Sequence, residues 1–164
     1  MRLAVLALLP LTAAAVAAAP ANFKLSNPDA PIAYAAQHCE AAMKEGELVC
    51  TGNVVISQGE VRLHADRVRI HAVDGKADTV YADGHVVINS PSGTATGDTG
   101  LYRVVPRRIT LTGHVVLVRE RNVLRGPQLD VDLITGKAKL TGGVKDGGPV
   151  QGLFTPQTAP NGKD

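Results

Sequence analysis

The chain has 164 residues, with 17 Lys plus Arg against 15 Asp plus Glu, and its aromatic residues are three Tyr and two Phe without a Trp. Near-neutral charge excludes the basic stripe of a nucleic-acid binder, and so few rings leave little with which to stack on bases or sugars. What remains is one domain of ordinary size whose core must be aliphatic.

Arg2 precedes a mostly apolar run over 3–18 and then small residues, which predicts a signal peptide over 1–19. Cleavage at Ala17-Ala-Ala19 or Ala19-Pro-Ala21 would remove one cation and no acid, so 16 basic residues face 15 acidic ones and the mature net charge is +1. No later run reaches the roughly 20 apolar residues of a membrane helix. A periplasmic, exported product is expected, beginning with a flexible segment over 20–30.

From residue 31 onward, turn signals arrive about every 15 residues: Lys44-Glu-Gly46, Gln58-Gly59, Asp74-Gly75, Ser90-Pro-Ser-Gly93, Val105-Pro106, Arg121-Asn122 and Thr135-Gly136. The segments between them are rich in Val, Ile, Leu and Thr and alternate apolar with polar, so the fold class is all-β, an antiparallel meander. Three segments carry near-copies of one phrase, Gly52-Asn-Val-Val-Ile, Gly84-His-Val-Val-Ile and Gly113-His-Val-Val-Leu, with a fainter Gly142-Gly-Val, spaced 32, 29 and 29 residues apart. This is a repeat architecture. A small residue sits near each segment's middle (Ala36, Gly52, Ala65, Gly84, Gly97, Gly113, Gly126, Gly142), where strands bend. Each segment is therefore expected to fold over and give one strand to each of two facing sheets.

Parity supports the bend. Leu48, Cys50, Gly52, Val54 and Ile56 share a face through the phrase, whereas Val61 and Leu63 hand over to Val68 and Ile70 with a one-residue jump. The jump predicts a recurring bulge carried by the alternate segments. Cys39 and Cys50 both fall on the inner face, opposite each other across a hairpin centred on Lys44 and Glu45. They are a disulfide candidate for an oxidising compartment, or else two small buried thiols.

Other polar residues read mainly as surface. His85 and His114 occupy the same repeat position, and His64 and His71 flank a corner, but all face outward without the companions of a tight metal site, so no metal or other cofactor is expected. Asp66 and Asp98 share a corner position that the third copy fills with Pro127, which favours a turn role over paired-acid chemistry. Arginines cluster at 62, 67 and 69 and again at 103, 107, 108, 119, 121 and 125; most read as solvated surface, and those at turns, on the ends or rim of an open trough, would suit the phosphates of an anionic glycolipid. With no nucleophile elbow, Walker loop or zinc-protease motif, the chain is expected not to be an enzyme. The inner face by itself fits either a dry sandwich core or an open apolar trough. The Gly- and Pro-bearing stretch 147–164 is expected to be a disordered tail.

The stretch Thr51-Gly-Asn-Val-Val-Ile-Ser-Gln-Gly59, followed by Val61-Arg-Leu-His-Ala-Asp-Arg-Val68 and Ala82-Asp-Gly-His-Val-Val-Ile88 behind a signal peptide, resembles the LptA/OstA-like family of periplasmic lipopolysaccharide-transport proteins over residues 31–146. The resemblance implies an open, V-shaped β-jelly roll whose apolar groove takes acyl chains. Here that groove would be lined by Leu48, Val54, Ile56, Leu63, Val68, Ile70, Val86, Ile88, Tyr102, Ile109, Leu111, Val115, Leu117, Leu129, Val131 and Leu133. Implied partners are lipopolysaccharide and like-folded inner-membrane and outer-membrane transport proteins, joined through edge strands near residues 31–43 and 137–145, with a head-to-tail homo-oligomer as an extension. The implied function is a periplasmic carrier bridging the two membranes. The alternative is a structural or adhesive β-repeat protein with a dry core and no lipid.

Overall fold

A computed structural model describes residues 23–143 and 148–155. The expected signal peptide and residues 156–164 of the expected tail lie outside that range. Ten strands follow in chain order: β1 (Ala33–Ala35), β2 (His38–Ala42), β3 (Glu47–Gln58), β4 (Val61–Val73), β5 (Lys76–Ser90), β6 (Gly93–Arg103), β7 (Arg108–Arg119), β8 (Asn122–Asp132), β9 (Ala138–Thr141) and β10 (Gln151–Leu153). They form one antiparallel sheet in which β3 to β8 pair in sequence order, with β1 and β2 both on the free edge of β3 and β9 and β10 both on that of β8. The architecture is all-β, as expected.

The sheet folds over because every long strand breaks at the same level. On β3 and β4, Thr51 pairs with Arg67 and Val54 with Ala65, so two residues of β3 span what one residue of β4 spans. The same mismatch recurs at Gly84-His85 of β5 opposite Asp98 of β6, and at Gly113-His114 of β7 opposite Pro127 of β8. The extra residue thus belongs to the phrase strands, not to the alternate segments as parity suggested. Parity detects a mismatch between neighbours but does not say which of them is longer. The backbone does: Gly52 and Asn53, Gly84 and His85, and Gly113 and His114 have φ of 80 and 46°, 77 and 45°, and 76 and 44°. Two successive left-handed residues crease the strand, and Gly followed by Asn or His is chemistry that tolerates them.

Either side of the crease the half-sheets face each other over one aliphatic core, with Val54, Val68, Val86, Leu111 and Leu129 completely shielded from solvent. Their turns form two lips opposite the crease. One lip carries 58–60, 90–93 and 119–122; the other carries 43–46, 74–75, 104–107 and 133–137.

Two segments differ from expectation. Residues 23–30, expected to be flexible, lie between the lips with Phe23 and Leu25 only 2% and 3% exposed. Residues 151–153, expected to fall in a disordered tail, form β10, pairing Gln151 to Arg125 and Leu153 to Val123. β9 and β10 run in the same sense along successive halves of β8, so each half of β8 has its own edge partner, β9 on Gln128–Val131 and β10 on Val123–Arg125.

Candidate functional site

The sixteen residues expected to line a groove all point between the half-sheets. Fifteen are buried, and Leu48 is half-buried at the N-terminal end. Each is placed by its parity on a strand whose crease is fixed by the repeat, so the sequence pattern converts directly into a continuous aliphatic lining. The halves touch along their middle: a Cβ added to Gly100 would lie 3.2 Å from both Leu111 and Val86, which come from opposite sides of the crease. The interior is filled there by the protein's own side chains.

At the N-terminal end it is not. Ile32, Tyr34, Ala41, Met43, Leu48, Ile70, Ala72 and Ala77 help line an open cleft of about 630 Å³ between β1 and β2, within the range of small-ligand sites. This cleft is the open end of the jelly roll. Cys39 and Cys50, partners in the β2–β3 register, are joined by a disulfide. Cys50 is buried but Cys39 is exposed, because β2 is an edge strand with no further neighbour.

The mouth opposite the crease is crossed by residues 23–30. Leu25 N–H donates to the Leu133 carbonyl (3.0 Å), and Arg107 bonds the Asp29 carboxylate (2.9 Å), both on one lip. On the other lip, Ser26 Oγ donates to Glu60 (2.6 Å), and the Arg119 guanidinium lies 5.7 Å from the Phe23 ring centroid. Between the lips, the Tyr102 hydroxyl donates to Gln58 Oε1 (2.7 Å) while Gln58 Nε2 donates to the carbonyls of Pro28 (3.3 Å) and Ala30 (3.1 Å). Burial pushes the Tyr102 phenol above its usual pKa, with Arg107 opposing. Gln58 is a buried polar side chain satisfied by both neighbours, as an apolar interior demands.

Outside the crease runs a polar ladder. His85 Nδ1 meets Asp66 at 2.7 Å and His114 Nδ1 meets Asp98 at 2.7 Å. The hydrogen bond to Asp66, and then its charge, hold His85 above the usual imidazole pKa. The two histidines and the two aspartates each stand out in the sequence as a repeat position; that they pair across neighbouring strands is visible only once the crease register is known. Among the described residues no group of three or more His, Cys, Asp or Glu is placed to hold a metal. Of the arginines, Arg69 stacks on Tyr81 (4.8 Å), Arg108 faces Asp132 (3.7 Å), and Arg107 and Arg119 contact residues 29 and 23 from facing lips.

Residues 35–137 match the family described as LptA/(LptD N-terminal domain) LPS transport protein. The chain belongs to that family. An uncharacterized protein, R00383 of Rhizobium meliloti (strain 1021), is 31% identical over 147 residues, spanning 84% of this chain and 77% of that protein. In fold the chain is similar to LptH of Pseudomonas aeruginosa, described as the LptA-homologous periplasmic component of the lipopolysaccharide transport device: TM-score 0.72 at 20% identity, over 80% of this chain and 99% of LptH. This LptA-family chain is thus a lipopolysaccharide-transport protein with the fold that the sequence resemblance implied. The sequence-derived groove, disulfide pair and crease all fall within the matched segment; the mouth-crossing residues 23–30 lie before it, which is where sequence reasoning missed them.

Proposed function

We propose that the chain is a periplasmic carrier that shields lipopolysaccharide acyl chains between its half-sheets and bridges like-folded components of the two membranes. The observation that supports it best is the lining: sixteen inward positions, aliphatic but for Tyr102, continue from end to end of a sheet that is closed by a crease on one side only. Each acyl CH2 kept out of water is worth about 0.8 kcal/mol, so even partial insertion holds a lipid that has left its membrane. Bridging is supported by the edges. β1 and β2 end the sheet beside exposed Tyr34 and Met43, while β9 and β10 end it beside exposed Val150, Leu153 and Phe154. Unpaired strand edges flanked by apolar side chains suit strand-to-strand stacking of like folds, including copies of this chain.

A photo-crosslinking residue at Leu48, Val86 or Val115, in cells that make lipopolysaccharide, tests the reading. Adducts are expected at inward positions and not at outward Asp83 or Thr99. A folded, exported protein without adducts at any inward position excludes it. The tight central packing around Leu111 favours the second reading, a structural protein with a dry core, which predicts that empty result.

A further inference from the structure

We propose that residues 23–30 are an intramolecular lid that imitates the ligand, and that Arg107 and Arg119 take the lipid's phosphates when the lid leaves; this rests on the lipid-carrier reading above. The lid presents the chemistry of an anionic lipid in miniature. Phe23 and Leu25 fill the mouth as hydrocarbon, 2% and 3% exposed, and Asp29 supplies an anion to Arg107 at 2.9 Å. Phe23 also covers the Arg119 guanidinium on the opposite lip.

The attachment is that of a removable piece. One backbone hydrogen bond, Leu25 N–H to Leu133 O, ties the segment to a strand's end. The rest is held by side chains: Ser26 to Glu60, Asp29 to Arg107, and Gln58 to two carbonyls. No strand pairing of the sheet is lost when it lifts. It also lies where entry needs it to move. A lipid whose head group stays in water enters sideways through the long mouth opposite the crease, since threading from an end would drag the head group along the interior. Departure of the lid bares an apolar slot and two guanidinium groups on facing lips, Arg107 and Arg119, suited to phosphate. Glu60, released by Ser26, lies at the β3–β4 turn, at the other end of the lip from Arg119.

The test uses the full chain in cells, with a photo-crosslinker at Val86 and lipopolysaccharide capture as readout. Phe23→Ser with Leu25→Ser, and separately Asp29→Ala, are expected to raise capture, up to about tenfold if the open form is a minor population. Asp29→Ala leaves the apolar packing in place, so a rise there is not an effect of unfolding. Adding Arg107→Gln to Asp29→Ala is expected to bring capture below wild type, which a merely structural arginine would not do. With the purified exported chain, amides of 23–30 should exchange faster when lipopolysaccharide is added. Equal capture in wild type and both release variants, or unchanged exchange with lipid bound, overturns the lid and leaves the carrier reading standing. Capture absent from every variant removes the carrier reading and the lid with it.

Discussion

At the crease the critical residues are pairs, glycine then Asn or His, both left-handed. A side chain on the glycine is doubly opposed: its φ near +77° strains any L residue, and at Gly84 a Cβ would run into the Asp66 carboxylate. Gly84→Ala is expected to cost about 1–3 kcal/mol of stability, read from denaturant midpoints, whereas Gly75→Ala, whose Cβ has open space around it, should carry only the backbone strain. The neighbouring His85 gives a pH signature. Its pKa is raised in the folded state, so the stabilisation it brings is fully present below about 6.5 and fades as pH rises through the folded value. In NMR titration His85 should therefore turn over above 6.5, and Asp66→Asn should bring it down towards that value. An unchanged titration would mean that the 2.7 Å contact does not persist in solution.

At the scale of elements, the weakest part of a creased meander is its edge, and here the N-terminal edge is fastened covalently. Cys39 and Cys50 are 11 residues apart and close a loop across the β2–β3 hairpin, worth about 3 kcal/mol by loop-closure entropy. Replacing both with Ala should lower unfolding free energy by that order and speed amide exchange in β1 and β2 first, with β5 to β7 little affected; uniform loss of protection would argue against a local role. Strand number, spacing and bend level were legible before any coordinates, because alternation and turn residues are local signals. The strand carrying the bulge was not, since it depends on which neighbour is longer. Residues 23–30 and β10 were also hidden. Phe23 and Leu25 are two isolated apolar residues among Asn, Pro and Asp, a loop composition, and their partners Arg119 and Leu133 are about 100 residues away. β10 has three residues, one of them Gly152, too few for a period to register.

For the whole molecule the question is how an interior so well filled admits a hydrocarbon chain. A continuous sheet hinged at five register shifts along one crease can open without losing backbone pairing, because the hydrogen bonds run between strands and the halves meet only through side chains. Room for a chain must come from separating those side chains, and room made in advance should be used. Leu111 is fully buried between the halves, so Leu111→Ala should cost about 2–5 kcal/mol as transfer and cavity terms add. A carrier recovers part of that loss when an acyl chain fills the space. Ligand that binds the folded state alone raises stability with its affinity, so saturating lipopolysaccharide should raise the melting temperature of Leu111→Ala by more than that of wild type. A structural protein with a dry core would show the same destabilisation and no lipid-dependent recovery, which makes the paired melting curves, with and without lipid, a measure of whether the halves part in function.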